Sequence, residues 1–427
     1  MMTALPYGGF KWITPNAFLQ KLPKILQNSV SFDEQLAYIQ ASKINFFLEV
    51  DAYFPREIHD KMKDFPFLPD IVKPPGGKHE KLICHLGPRS RYNLSLEMYL
   101  LAKQEGVVFT TIHRVVQYNQ STWLAKYIQL NTDLRKASKD VFRQDYYKLM
   151  NNAVYGKTLE DVTKHVSFAL FTSQNAKKFK ILHEKKPYLV KRKLVYHRCS
   201  EHEVLPTSLT CAKQGGCVVG MELRKLKSLL NKPSYVGAKI LENSKLLMYR
   251  FYYHVLLPKF GSNVRLLATD TDSFILELVS DNIEKDLGDI RHHMDFSNLS
   301  KENALFDMAN QKVPGKFKLE YPKEVQQKFV GLRSKCYCLE SLNGTLIKRA
   351  KGTKKSVVSK TLDMKDYEEC LERQEPLLRT QHLLRSQHQT IYTVKQKKIC
   401  LSALDDKRYV IPNSDETLPW GHYAVPL

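Results

Sequence analysis

Two apolar runs, Val264-Arg265-Leu266-Leu267-Ala268 and Phe274-Ile275-Leu276-Glu277-Leu278, flank the short acidic segment Thr269-Asp270-Thr271-Asp272-Ser273. Aliphatic runs of that length around a tight polar turn predict an antiparallel β-hairpin. A lone two-stranded hairpin is marginal in water, so the rest of the chain has to fold around this one. Its tip carries Asp270 and Asp272, two apart and hence on one face. Two carboxylates so placed can converge on a divalent cation, and hard oxygen ligands suit Mg²⁺. A calcium loop is excluded, because the positions that need Gly and a final Glu, counted from Asp270, are Ile275 and Asp281. An acidic turn is ordinarily just solvated. Here the flanking strands predict a buried tip, where two carboxylates without a cation would be costly.

A second candidate stripe precedes it. Trp123, Leu124, Tyr127, Ile128 and Leu130 recur at helical period, and Asn131-Thr132-Asp133 then reads as a break and an N-cap. The helix that follows would set Leu134, Ala137, Val141, Leu149 and Ala153 on its apolar side and stop at Gly156. Lys148, Asn152 and Tyr155 fall at i, i+4 and i+7, on one face. A point charge, an amide and a ring on one stripe can hold a triphosphate, a sugar and a base, although solvated helices carry such stripes too. Arg135 and Lys136 would lie in the first turn, where the helix dipole also attracts anions. Elsewhere, residues 44–50 read as a strand, 92–104 as a helix, 107–109 as the start of a strand, 235–260 as a long helix and 364–379 as a helix.

The chain has 427 residues, with 66 Lys+Arg against 44 Asp+Glu and a net charge of +22. That length predicts two or three domains, and the charge calls for a polyanionic partner, for which phosphate backbones are the usual answer. Residues 165–232 are irregular and basic, as a surface insertion would be. Lys348-Arg349-Ala350-Lys351-Gly352-Thr353-Lys354-Lys355 fits either a phosphate-facing stretch or a solvated loop. The eight cysteines are too sparse for a disulfide framework, which fits a reducing compartment. His197, Cys199, His202, Cys211 and Cys217 cluster without the short paired spacing that zinc sites favour, and read as a loop with incidental thiols. No apolar run is long enough to span a bilayer, and the start lacks the basic leader and apolar stretch of a signal peptide. A soluble, intracellular protein is the expectation.

The motifs taken together carry a resemblance. Tyr147-Lys148-Leu149-Met150-Asn151-Asn152-Ala153-Val154-Tyr155-Gly156-Lys157 resembles motif B of family B DNA polymerases. Thr269-Asp270-Thr271-Asp272-Ser273 resembles their motif C, and Lys335-Cys336-Tyr337 resembles their Lys-x-Tyr motif. Order and spacing agree, and the likeness, which is to the protein-primed enzymes of viruses, linear plasmids and self-synthesising transposons, runs over nearly the whole chain.

The resemblance implies an α+β right-hand fold: a palm with helical fingers and a thumb. Residues 1–115 would be the N-terminal palm part with an inserted subdomain, 116–164 the fingers and 165–234 a basic insertion. Residues 235–285 would be palm with the motif C hairpin, and 286–427 palm and thumb. Asp270 and Asp272 would be catalytic and bind Mg²⁺ in a two-metal site, with Asp272 the more direct ligand. Lys148, helped by Arg135 or Lys136, would hold the incoming triphosphate. Asn152, Tyr155 and Gly156 would shape the nucleotide pocket, and Lys335 and Tyr337 would grip the primer terminus. The implied partners of this monomer are primer–template DNA, dNTPs and a terminal priming protein, with no membrane.

Two departures temper that expectation. The family's motif A, Asp-x-x-(Ser/Asn)-Leu-Tyr, is not found in the chain. Residues 4–12 resemble the sequence just after motif A, as if the chain began a few residues late, and the exonuclease signature Asp-x-Glu is missing as well. Asp51-Ala52-Tyr53-Phe54-Pro55 mimics motif A, but its place in the order matches a later strand. With one carboxylate ligand missing, little or no polymerase activity is expected of the chain as it stands. The alternative is a non-catalytic nucleic-acid-binding relic of a mobile-element or viral polymerase.

Overall fold

The computed structural model describes residues 1–171, 176–196, 218–322, 324–387, 390–414 and 416–426. Helices and strands are mixed, and the chain divides into two compact units. The larger holds Met1–Tyr155, Tyr235–His382 and Lys395–Leu427; the smaller holds Gly156–Ser234 and Leu383–Val394.

The larger unit is built on a four-stranded antiparallel sheet in the order Leu5–Ile13, Val108–Ser121, Ile44–Tyr53, Arg89–Ser95. Ile44–Tyr53 alternates, with Phe46, Leu48, Val50 and Ala52 buried. Helices Pro15–Leu26 and Phe32–Ala41 add Phe18, Leu36 and Ile39 to the same core, and the Phe18 and Phe46 rings meet edge to face at 5.2 Å. The stretch read as one helix from residue 92 is a strand to Ser95 followed by helix Leu96–Gln104. Leu94 and Leu96 are both buried, and the Ser95 hydroxyl accepts the Met98 N–H at 3.4 Å, which makes Ser95 the cap between the two elements.

A buried polar network ties this sheet to helix Ser234–Arg250. Lys239 and Glu97, 1% and 4% exposed, form an ion pair. Asn45 Nδ2 donates to Glu97 Oε1 at 2.8 Å and to Gln120 Oε1 at 2.9 Å. Gln120 Nε2 in turn donates to the carbonyls of Ile39 and Ser42 at 2.7 and 3.0 Å. Beyond Arg250 the helix widens to π geometry over Phe251–Leu256, then resumes over Leu257–Phe260.

A second core lies under the three-stranded sheet Gln326–Arg333, Cys336–Ser341, Leu346–Ala350. Helix Met364–Arg373, started by a capping box between Asp363 and Asp366, covers it with Tyr367 and Cys370. That helix ends six residues before the expected 379, because Leu377–Gln387 is a strand. Cys336, Cys338, Cys370 and Cys400 are buried here as free thiols, and burial pushes Cys338 up to about 11, so they behave as small apolar groups. The basic run from Lys348 is a loop only at 351–354: Lys348–Ala350 is strand, Lys355 opens helix Lys355–Thr361, and Lys348 Nζ donates to the Ser359 carbonyl at 3.0 Å.

The smaller unit has a three-stranded antiparallel sheet in the order Ser167–Phe171, Val218–Leu223, Val190–Tyr196. Phe171, Phe179, Leu182 and Met221 form its core, while Lys177, Lys178, Lys180, Lys185 and Lys186 are exposed. Among the described residues, no helix is long and apolar enough to cross a membrane.

Candidate functional site

The acidic hairpin forms, with Val264–Thr269 paired to Phe274–Leu278 and Thr269 opposite Phe274 at its end. An aromatic platform holds it. The Phe274 ring packs edge to face with Phe65 at 5.6 Å and stacks with Phe251 at 6.4 Å and Phe317 at 6.2 Å. Phe65 is itself stacked on Tyr249 at 4.4 Å, and the Tyr253 hydroxyl donates to the Phe65 carbonyl at 2.7 Å. Asp64 Oδ2 accepts the Leu266 N–H at 3.3 Å and the Tyr252 hydroxyl at 3.4 Å. The π segment therefore has a use: it sets Phe251, Tyr252 and Tyr253 against both the 64–67 segment and the hairpin. No motif in the sequence marks Asp64 or Phe65 for this role; the only trace is an acid beside a run of aromatic and proline residues.

The tip is not buried. Asp270, Thr271 and Asp272 are exposed, and the Asp270 side chain keeps 51% of its surface. The expected burial fails because both strands are only half-buried along most of their length and the turn projects past the platform. The turn itself is tight. The Asp270 N–H donates to the Ser273 carbonyl at 3.1 Å, and the Asp272 N–H donates to the Asp270 carbonyl at 2.7 Å, closing a three-residue γ-turn around Thr271 at φ 66°. A β-branched residue in left-handed backbone is uncommon and strained.

A second tight turn meets the first. Arg333 pairs with Cys336, which leaves Ser334 and Lys335 as a two-residue hairpin loop with Lys335 at φ 60°. Lys335 Nζ contacts Asp270 Oδ1 at 3.1 Å, with both side chains about half exposed. Tyr337 lies half-buried in the adjoining strand, its ring 6.0 Å from Phe329. Burial raises its phenol, the Arg349 charge opposes this, and Tyr321, Glu320 and Asp270 add to the rise. The sequence offers Asp270 and the Lys335–Tyr337 motif as separate candidates; the structure brings Lys335 onto Asp270.

The Lys148 stripe is placed differently from expectation. Helix Ala125–Ala137 runs through Asn131–Asp133, and the break comes at 138–140 before helix Val141–Thr158. Asn131 Nδ2 donates to the Tyr127 carbonyl at 3.2 Å and Thr132 Oγ1 to the Ile128 carbonyl at 2.8 Å, so the cap-like residues are satisfied inside the helix. The cap is Asp140, whose carboxylate accepts the Phe142 and Arg143 N–H groups at 3.3 and 3.1 Å. Arg135 and Lys136 consequently sit in the last turn of the first helix, not the first turn of the second, and face the negative end of that dipole.

Val141, Leu149 and Ala153 are exposed, and the packing side is Tyr147, Met150, Asn151 and Val154. Asn151 Nδ2 reaches the Ile128 carbonyl at 3.4 Å there. Lys148 and Asn152 are exposed and carry no hydrogen bond or ion pair to Asp270, Asp272 or Lys335. Tyr155 is half-buried against the cluster of Leu5, Leu124, Ile128, Val236 and Ile240. Gly156 does not end the helix, which continues to Thr158, and a Cβ there would meet open space.

Two carboxylates on one exposed turn suit Mg²⁺, which typically takes one or two protein carboxylates and fills its octahedron with waters and substrate phosphates. Among the described residues, no group of three His, Cys, Asp or Glu side chains could hold a metal alone. Asp51 is engaged elsewhere. Its oxygens accept the Arg91 N–H at 2.8 Å and meet His113 Nε2 at 2.7 Å, on a different sheet from the hairpin. The His197–Cys217 cluster lies outside the described residues.

No protein-family model matches the chain, and no curated protein does. Two solved structures of Phi29 DNA polymerase are similar in fold. One is its ternary complex with primer-template DNA and incoming nucleotide substrates, at TM-score 0.52 and 11% identity, covering 93% of this chain and 55% of that one. The other is its post-translocation binary complex with primer-template DNA, at TM-score 0.51 and 12% identity, with the same coverage. This chain thus spans about half the length of that polymerase, and at such identity the likeness is one of fold.

Proposed function

We propose that the chain is the polymerase part of a DNA-directed DNA polymerase of the protein-primed family B type, with palm, fingers and thumb in the places its motifs suggest. The observation that supports this most is the 3.1 Å contact between Lys335 and Asp270. It joins two turns that sequence resemblance ties to one chemistry and that nothing in local folding requires to meet. The fold likeness to a polymerase carrying primer–template and nucleotide supports the same reading.

In this reading a primer 3′-hydroxyl attacks the α-phosphate of a dNTP; the new P–O bond forms as the bond to pyrophosphate breaks. Asp270 and Asp272 would hold Mg²⁺, which when bound lowers the nucleophile's pKa and neutralises the leaving pyrophosphate. Lys335, from its half-exposed turn, can turn its ammonium from Asp270 to a primer phosphate, and Tyr337 flanks the primer end. Lys148 and Asn152, exposed on their helix, are free to take triphosphate and sugar, with Tyr155 and Gly156 beside the base. Residues 165–232, whose lysines at 177, 178, 180, 185 and 186 are exposed, would track DNA; a terminal protein would supply the priming hydroxyl.

Primer extension with Mg²⁺ and dNTPs tests the reading. The chain should bind primer–template and extend it slowly, and Asp272→Asn should abolish the extension. Supplying a segment with Asp-x-x-(Ser/Asn)-Leu-Tyr ahead of Met1 should raise the rate. Deleting 165–232 should shorten products more than it slows single additions. DNA binding with no Mg²⁺-dependent addition, with or without that segment, would favour the non-catalytic relic instead.

A further inference from the structure

Residues 63–69 belong to no helix or strand, yet they are gripped from two sides. On one side Asp64 Oδ2 accepts the Leu266 N–H of the acidic hairpin, the Phe65 ring packs on Phe274, and the Tyr249 hydroxyl donates to the Pro66 carbonyl at 2.8 Å. On the other side stands a distant stretch of chain, 405–425. Within it Arg408–Val410 pairs with Thr417–Pro419, and this small hairpin presets Arg408. Its Nε donates to Thr417 Oγ1 at 2.8 Å and its Nη2 to the Thr417 carbonyl at 3.0 Å. The same Nη2 donates to the Lys63 carbonyl at 2.9 Å, one residue before Asp64.

The stretch is fastened at further points. Lys81 Nζ meets Asp406 Oδ1 at 2.6 Å, Lys407 Nζ donates to the Leu82 carbonyl at 3.0 Å, and the Leu86 N–H donates to the Trp420 carbonyl at 2.7 Å. The Tyr423 N–H donates to His59 Nδ1 at 3.1 Å, and the Tyr423 hydroxyl to Asp60 Oδ2 at 2.9 Å. Gly421 lets the two backbones close. It holds φ 85°, and a Cβ there would come within 2.6 Å of the Gly87 nitrogen.

We propose that residues 405–423 form a strap that sets the acidic turn, with Arg408 as its positioning residue. By holding the Lys63 carbonyl, Arg408 fixes Asp64, and Asp64 fixes the first strand of the hairpin at Leu266. A segment without a ladder of its own opens easily, so a bond on one side of Asp64 limits the excursions of the carboxylate on the other. Asp270 and Asp272 then stand where the hairpin stands. The effect on nucleotide addition rests on the polymerase reading; the effect on the hairpin does not.

Hydrogen exchange of the full chain, read residue by residue, tests this. Arg408→Gln removes the grip at Lys63, and Gly421→Ala pushes the strap off at a place whose neighbours are Leu86 and Gly87. Both should speed exchange of the Leu266 N–H about tenfold, as for one charge-assisted bond lost. The Leu48 N–H, on an inner strand of the four-stranded sheet, should not change. In an Asp64→Ala background, where the Leu266 N–H has already lost its acceptor, Gly421→Ala should add nothing at Leu266. Unchanged exchange at Leu266 in a variant whose Tyr423 N–H exchanges faster would overturn the proposal. So would equal acceleration at Leu266 and Leu48, which would make the strap a general stabiliser. With primer–template, Gly421→Ala should raise the Mg²⁺ concentration needed for half-maximal addition while DNA binding holds; an unchanged requirement in an active chain would also overturn it. A chain that adds no nucleotide yet shows the Leu266 response keeps the strap and loses the polymerase reading.

Discussion

Thr271 and Lys335 sit at the tips of two hairpins in left-handed backbone, where a residue other than glycine costs ~1–2 kcal/mol. Glycine at either place would fold more easily, so side chains are kept there against the local preference. Thr271→Gly should raise the free energy of urea unfolding by up to about 1 kcal/mol; an unchanged or lower value would mean the turn carries no strain. Lys335→Gln breaks an ion pair whose partners are half exposed, so stability should move by less than about 1 kcal/mol while primer-terminus use falls steeply. A large loss of stability would mark Lys335 as structural. Residue identities were legible in the sequence, since the Asp-Thr-Asp and Lys-x-Tyr patterns stand out, but their meeting was not, because it depends on how two separate sheets are placed.

His85 gives a pH test at the same scale. Its Nδ1 faces the Gly87 N–H at 3.1 Å and Arg89 at 3.1 Å, and burial, then Arg89, holds its pKa down at about 4, against 6.5 when unfolded. The folded state thus binds the proton less well. Its stabilisation is full above about 6.5 and lost as pH falls toward about 4. Unfolding free energy should drop across that window, and less so in His85→Gln; equal drops would remove His85 as the cause.

Among the elements, the buried Lys239–Glu97 pair ties helix Ser234–Arg250 to the sheet. Lys239→Met leaves a buried carboxylate unpaired and should cost about 3–5 kcal/mol in urea unfolding. Lys239→Met/Glu97→Leu should recover much of it; no recovery would mean the loss is one of packing. The acidic hairpin and the strand from Ile44 could be read from their apolar runs, because β periodicity survives without tertiary context. The helix break could not. Asn131 and Thr132 look like caps, yet their side chains bond to carbonyls one turn back, and Asp140 does the capping. The π segment was equally hidden, since its residues keep an apolar helical pattern and only the packing of Tyr252 on Phe65 and of Phe251 on Phe317 sets it apart.

For the whole molecule, a net charge of +22 calls for a polyanionic partner, for which phosphate backbones are the usual answer. Charge alone would serve any nucleic-acid binder. Selection of a nucleotide by a template would not, and under the proposed function it depends on the Asp270–Asp272 turn. The most direct measurement is therefore the stability of the chain–primer–template complex against competitor DNA, with Mg²⁺ and one dNTP at a time. The next complementary dNTP should prolong the complex, mismatched dNTPs should not, and Asp272→Asn should erase the difference. A complex equally long-lived with every dNTP, or unchanged by Asp272→Asn, would contradict a polymerase site at this turn.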